Sequence, residues 1–308
     1  EVFQYLLTLT GCLICFWALV KCVRFMKYVF PRTWSALPET FFQSLGEWAV
    51  VTGAGDGLGK AYSFELAKRG LNVVMISRTL DKLHRVASEV EQATGRKVKV
   101  IQADFTKNSI YENIEKNLQG LDIGVLVNNV GMLHNPLPCR FLNGPDIDEN
   151  LINCNIISVV KVCDTLTSML LLQQKGLILN LSSGLGTFPC PLYTIYSASK
   201  AFISTFSKAL QMEYKAKGII IQAVAPYGVS TPMTMYQKPG LITKVAEEFV
   251  SESLDYVTFG DEVFGCLAHE ILACILQFVP LWVFHSDRFQ EAVLNVFTSY
   301  LKKTWSSP

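Results

Sequence analysis

Trp48-Ala49-Val50-Val51-Thr52-Gly53-Ala54-Gly55-Asp56-Gly57-Leu58-Gly59 decides how this chain folds. The run Trp48 to Val51 is apolar and β-prone, the signature of a buried strand. It leads without a break into the glycine-rich stretch. A helical pattern follows from Lys60 to Arg69 and stops at Gly70, which suits the position just past a helix end. A second buried strand is expected over Asn72 to Ser77. Strand, glycine turn, helix and strand in that order form a dinucleotide-binding unit rather than a merely flexible loop. Gly53 allows the tight turn, Gly57 lets the backbone approach a pyrophosphate, and Gly59 lets the helix pack close. The helix N-terminus then faces the phosphates.

The end of the second strand refines the ligand. An acidic residue there would accept hydrogen bonds from the ribose 2′-hydroxyl of NAD. Ile76-Ser77-Arg78 offers a guanidinium instead, whose planar fork suits a 2′-phosphate. This argues for NADP(H), against the plainer view of Arg78 as a solvated surface residue. Asp104, after the strand-like run Val98 to Ala103, either holds the adenine amino group or caps the following turn.

Downstream, Tyr196 and Lys200 stand four residues apart in a helical pattern, so they share a helix face. A free tyrosine, with a pKa of about 10, is a poor acid or base at neutral pH. A neighbouring ammonium favours the phenolate and lowers that value, which makes an acid/base able to protonate a carbonyl oxygen. Taken alone the pair could be two exposed helix residues. Ser183 lies thirteen positions upstream, at the end of the strand expected over Leu177 to Leu181.

Thr52-Gly53-x-x-x-Gly57-x-Gly59, Asn128-Asn129-Val130-Gly131, Asn155, Ser183, Tyr196 and Lys200, in this order, resemble the short-chain dehydrogenase/reductase family. The likeness is strong over roughly residues 46 to 235. Whole runs such as Lys60-Ala61-Tyr62-Ser63-Phe64-Glu65-Leu66 and Cys266-Leu267-Ala268-His269-Glu270-Ile271 extend it to nearly the full chain. They are similar to a membrane-bound branch that reduces 17-ketosteroids or very-long-chain 3-ketoacyl-CoA. The nearer likeness implies NADPH-dependent conversion of androstenedione to testosterone. The alternatives are fatty-acid elongation and a catalytically silent membrane scaffold. The resemblance implies a catalytic set of Asn155, Ser183, Tyr196 and Lys200. Tyr196 would be the proton donor, and Lys200 would lower its pKa and hold the nicotinamide ribose. Ser183 would orient the carbonyl, and Asn155 would support a water-linked relay to Lys200. Substrate contacts fall on Ser183 and Tyr196. Cofactor contacts fall on Thr52, Gly53, Gly55, Asp56, Gly57, Leu58, Gly59, Ser77, Arg78, Asp104, Asn129, Tyr196, Lys200, Pro226 and Val229. Ser182 would replace Ser183 if the register slipped by one. Two positions depart from the wider pattern: Val130 for alanine, and Pro226-Tyr227-Gly228 for a Pro-Gly pair.

The 308 residues accommodate one large α/β domain, a doubly wound parallel sheet of Rossmann type, with extensions at both ends. Half of the residues are hydrophobic and the mean hydropathy is positive, which points to membrane contact. A net charge of +1 with no basic stripe argues against nucleic acid as a partner. Nine scattered cysteines and four isolated histidines give little support for disulfides or a metal site. Tyr5 to Val20 carries no charge and Lys21, Arg24, Lys27 and Arg32 follow it, so the positive-inside rule predicts a membrane helix with the catalytic domain in the cytosol. A helix lying in one leaflet is the alternative. The resemblance implies the endoplasmic reticulum and a homodimer paired through long helices. The expected organisation is an anchor and linker over 1–45, a nucleotide-binding and catalytic core over 46–232, and a lid with an apolar helical extension over 233–308. Long helices are expected over Asp148 to Met169 and Tyr196 to Lys217, and a lid helix from about Thr243. Val263 to Phe284 reads as an apolar helix packed on the core.

Overall fold

The computed structural model describes residues 1–29, 37–135, 137–143 and 149–305. Arg32 and Asp148 lie outside the described residues, as do the side chains of Arg24 and Lys27. In chain order the elements begin with α1 (Val2–Val29), α2 (Phe41–Leu45), β1 (Trp48–Thr52), α3 (Gly57–Lys68), β2 (Asn72–Ser77), α4 (Leu80–Thr94), β3 (Val98–Gln102), α5 (Tyr111–Leu118) and β4 (Ile123–Asn128). There follow α6 (Glu149–Gln173), β5 (Gly176–Leu181), α7 (Thr194–Tyr214), β6 (Ile219–Val224), β7 (Val229–Ser230), β8 (Lys244–Val245), α8 (Ala246–Asp255), β9 (Glu262–Val263), α9 (Leu267–Leu276), α10 (Leu281–His285) and α11 (Asp287–Trp305).

Seven strands form one parallel sheet in the order β3-β2-β1-β4-β5-β6-β9. Its central strands are buried along their length, so they read as apolar runs such as Asn72-Val73-Val74-Met75-Ile76-Ser77 rather than as alternations. One apolar cluster, including Val51, Met75, Leu66 and Phe249, fills one side of the sheet. A second, including Val50, Ile76, Leu126 and Leu166, fills the other. Burying both faces requires helices on both, which is the doubly wound arrangement. The strand order reverses between β1 and β4, so the loops after these strands diverge and leave a crevice at their C-terminal ends.

Three segments differ from the sequence reading. α6 contains a π turn at Asn153–Ile157, where one extra residue per turn rotates Asn155 relative to a regular helix. The lid helix α8 starts at Ala246, because Lys244–Val245 pairs in parallel with Val229–Ser230. Val263 to Phe284 is not one helix. Val263 ends the edge strand β9, α9 stops at Leu276, and Pro280 precedes the short α10. Gly265, with φ +83°, turns the chain after the strand, and a Cβ there would meet the Phe249 ring.

At the N-terminus, Val2–Val23 is long and apolar enough to cross a membrane and is wholly exposed. Such an unburied apolar helix marks association with a membrane. α1 comes against α9. Glu149–Gln173 is apolar enough too, but nearly half buried, as the core helix of a globular domain is.

Candidate active site

The crevice is built by backbone strain and close packing. Gly53 and Gly57 have φ of +66° and +52°, a region closed to most side chains. Gly53 N–H is held by the Ile76 carbonyl at 2.7 Å. At Gly59 a Cβ would fall onto the Gly53 carbonyl oxygen, so only glycine lets α3 begin this close to the turn. Thr52 Oγ1 accepts the N–H groups of Asn129 at 3.0 Å and Val130 at 3.1 Å. Asn129 Nδ2 in turn donates to the carbonyls of Thr52 and Gly53. The two diverging loops are therefore braced to each other. Thr52 and Gly59 shape the crevice from behind and do not line it.

A cavity of about 410 Å³ runs along this crevice. Gly53, Gly55, Asp56, Gly57 and Leu58 face one end, Ser77, Arg78 and Asp104 a corner, and Asn129, Tyr196, Lys200, Pro226 and Val229 the rest. Asp104 caps its turn: Oδ1 accepts the N–H and the hydroxyl of Thr106 at 3.1 and 2.9 Å. The sequence reading missed Lys82, which lines the same corner and pairs with Asp56 across it at 3.0 Å. It also missed Thr231 and Thr234, whose hydroxyls hold a short turn at the cavity's edge. Lys82 was findable, since it lies four residues beyond Arg78 on the first turn of α4. The threonines carry no motif.

At the far end, α7 carries Tyr196 and Lys200 and β5 delivers Ser183, all buried. Ser183 and Tyr196 share a side-chain hydrogen bond. Lys200 Nζ donates to the Leu181 carbonyl at 2.7 Å and lies 5.8 Å from the Tyr196 ring centre. Burial pushes the Lys200 ammonium down to about 8. Burial pushes the Tyr196 phenol up, with the Ser183 bond pulling it partly back. A phenol lowered by its lysine neighbour is thus not what the protein alone displays, because desolvation of Tyr196 outweighs a cation that faces a carbonyl.

Asn155, fully buried, accepts the Met132 N–H at 2.8 Å and donates to the Met132 carbonyl at 3.0 Å. Its amide also donates to Ser199 Oγ at 3.1 Å. A Cβ added at Gly131 would meet both Lys200 Nζ and Asn155 Oδ1 within 3.6 Å, so the two side chains approach the same glycine. Ser182 points elsewhere: its hydroxyl donates to the Lys200 carbonyl and accepts from Ser204. Asn128 ties β4 to β5 through Asn180 at 2.8 Å.

A second cavity, of about 400 Å³, meets the first at Ser183, Tyr196 and Tyr227. Its walls are mostly apolar, among them Leu185, Phe188, Met235, Leu276, Phe284 and Val293. No Lys, Arg, Asp or Glu lines it among the described residues.

The short chain dehydrogenase family model matches residues 47–241, which span the whole crevice and both halves of its far end. The chain belongs to this family. It is 59% identical over 302 residues to 17-beta-hydroxysteroid dehydrogenase type 3 of Homo sapiens, covering 98% of this chain and 97% of that one. The Rattus norvegicus protein of the same name is 57% identical and covers 99% of both chains. Very-long-chain 3-oxoacyl-CoA reductase of Macaca fascicularis is 45% identical over 243 residues, 78% of each chain. Among solved structures, one from a study of 7beta-hydroxysteroid dehydrogenase stereoselectivity superposes with a TM-score of 0.69 at 26% identity. It covers 77% of this chain and 94% of that one. The family match accounts for the Tyr196–Lys200 spacing. The apolar cavity draws on residues beyond it, Leu276 to Val293.

Proposed function

We propose that the protein is an NADPH-dependent reductase of 17-ketosteroids, forming 17β-hydroxysteroids such as testosterone from androstenedione. The observation that carries this reading is the apolar, uncharged cavity of about 400 Å³ that meets Ser183 and Tyr196. Its size lies within the roughly 300–1,000 Å³ of small-molecule sites, and its walls suit a ligand bound by apolar area. The near-full-length similarity to 17-beta-hydroxysteroid dehydrogenase type 3 supports the same substrate.

The residues of the first cavity fit NADP(H). The glycine turn and the α3 N-terminus suit a pyrophosphate, and Arg78 with Lys82 suits a 2′-phosphate, with no carboxylate at the end of β2. When bound, the cofactor supplies the hydride. The chain does the rest. Ser183 holds the carbonyl oxygen by donating its hydroxyl proton. Tyr196, kept protonated by burial, holds the proton that the new alkoxide needs. Lys200, charged below about pH 8, stabilises the phenolate left behind. Asn155 fixes the Met132 backbone and, with Gly131, the space beside Lys200 Nζ through which a proton can return.

The same proposal places the protein in the endoplasmic reticulum membrane through α1, with the catalytic domain in the cytosol. Lys21 at the end of the apolar span supports that orientation. It includes a homodimer through α6 and α7, supported by the exposed apolar side chains of Leu172, Phe202 and Met212 on those helices.

Reduction of a 3-ketoacyl-CoA is the competing outcome, favoured by the relatives at 45% identity. A CoA thioester calls for basic residues at the cavity mouth. Of the two lysines in the lid segment, Lys244 is engaged by Glu248 at 2.7 Å and Glu252 at 3.2 Å, and Lys238 is exposed. The deciding experiment is NADPH oxidation by membranes containing the protein, with androstenedione and a long-chain 3-ketoacyl-CoA offered in parallel. Turnover of the steroid is expected; turnover of the thioester alone would overturn the proposal.

A further inference from the structure

His269 has no place in the reaction described above, yet it is completely buried and both ring nitrogens are engaged. Nδ1 accepts the Tyr227 N–H at 3.3 Å. That bond needs a lone pair on Nδ1, so the ring proton sits on Nε2, which donates to the Ile242 carbonyl at 2.9 Å. The imidazole is thereby fixed in one neutral tautomer, and burial disfavours its protonation.

The two partners belong to different working parts. Tyr227 lies in the loop after β6, and its ring lines both cavities. That ring packs on Gly184, where a Cβ would overlap it, one residue from Ser183. Its other contacts are a stack on Phe264 at 5.5 Å, an edge-on contact with His269 at 5.9 Å, and a side-chain hydrogen bond with Thr187. Ile242 lies in the lid segment, whose earlier residues Met233, Thr234, Met235 and Gln237 line the apolar cavity together with Ser183 and Tyr196. After Ile242 the lid is pinned by the Lys244 N–H to the Gly228 carbonyl and by the β7–β8 pairing. His269 adds the tie just before that ladder, where Leu241 is exposed and the Gly240 N–H donates to the Thr243 carbonyl at 2.9 Å.

We infer that His269 is a positioning residue: its neutral imidazole clamps the lid at Ile242 to the Tyr227 loop, and so sets the wall of the substrate cavity against Ser183 and Tyr196. It touches neither cavity itself. Removing the ring deprives two part-buried backbone groups, the Tyr227 N–H and the Ile242 carbonyl, of their partner, and releases the lid from the Tyr227 loop. The predicted signature is a loosened lid and poorer ketone binding, with the cofactor cleft nearly unchanged.

The kinetic half of the test rests on the proposed ketosteroid reduction; the exchange half does not. Amide hydrogen exchange over residues 236–245 and steroid kinetics are measured on the detergent-solubilised full chain. In His269→Phe, exchange in the lid and KM for the steroid are each expected to rise about tenfold, the effect of losing two hydrogen bonds to part-buried backbone groups. NADPH affinity should stay within about threefold, and kcat should fall less than KM rises. His269→Gln places its amide near Nε2 and should restore lid protection. His269→Asn places its carbonyl near Nδ1 and should restore the Tyr227 tie while leaving the lid fast. A merely structural role would lower thermal stability alike in all three and leave KM of the folded enzyme and lid exchange as in the wild type, which overturns the inference. If His269→Phe fails to fold, equal lid exchange in the Gln and Asn variants overturns it. Wild-type protein that reduces no steroid would sink the proposed function, while lid exchange would still decide the clamp.

Discussion

Glu270 gives a prediction whose size follows directly from its surroundings. The side chain is 9% exposed, and Oε1 accepts the Phe264 N–H at 2.6 Å. Burial pushes its carboxyl from the ordinary 4.5 up to about 7; the Phe264 bond lowers it and the Glu262 carboxylate raises it further. Between pH 4.5 and 7 the native carboxyl keeps a proton that the unfolded chain has lost. The native state therefore binds more protons, and stability falls as pH rises through that window. At about 1.4 kcal/mol per tenfold change in proton affinity, the loss above pH 7 amounts to ~3 kcal/mol. Glu270→Gln keeps a carbonyl oxygen for the Phe264 N–H and removes the titration. The variant is expected to match the wild type near pH 4 and to exceed it at pH 8. At roughly 2–4 °C per kcal/mol for a large domain, the gain at pH 8 is on the order of 6 °C or more. Thermal unfolding in detergent at pH 5, 6, 7 and 8 reads it. A difference between the two proteins that stays constant from pH 5 to 8, or a variant less stable at pH 8, would refute the buried, proton-holding carboxyl.

Arg78→Gln should weaken NADPH binding by about 2–3 kcal/mol, roughly thirtyfold or more, with NADH little affected; equal loss for both by fluorescence titration would remove Arg78 from the 2′-phosphate. Tyr196→Phe should abolish reduction while leaving NADPH affinity within about threefold, since the hydroxyl is needed for proton donation and not for the cleft; retained turnover would displace it as the donor. Gly184→Ala forces a methyl into the Tyr227 ring, so unfolding should come ~1–3 kcal/mol earlier and steroid KM should rise. An unchanged KM would mean that the ring does not define the cavity. Activity should decline above about pH 8 as Lys200 loses its proton, and Lys200→Met should remove that limb together with most of kcat.

The parts of the molecule set by local chemistry were legible in the residues. β2 spans Asn72–Ser77 as read, because an apolar strand buried on both faces and bounded by Gly70 and Arg78 has no other plausible register. The glycine turn was legible because Gly53 and Gly57 adopt backbone angles that other residues avoid. The π turn at Asn155 was not, since it answers to the Met132 backbone in a loop two dozen residues away in sequence. Val263 to Phe284 was misread as one helix because, His269, Glu270 and Gln277 aside, it is apolar for three different reasons: an edge strand, a packed helix and a cavity wall. His269 in an apolar run gave no hint that its two partners lie 27 and 42 residues upstream. The upward push on Tyr196 depends on burial from several elements, which spacing alone cannot express.

In the proposed reaction the apolar cavity presents a steroid ketone to Tyr196 and to a hydride from NADPH. The most direct measurement supplies NADPH deuterated at the transferring position, with androstenedione, to membranes containing the protein. The product is then read by mass spectrometry. The expected product is testosterone carrying one deuterium at the new carbinol carbon, with none formed by Tyr196→Phe. Absence of labelled steroid, with label appearing in a 3-hydroxyacyl-CoA when that ketone is supplied instead, would contradict it.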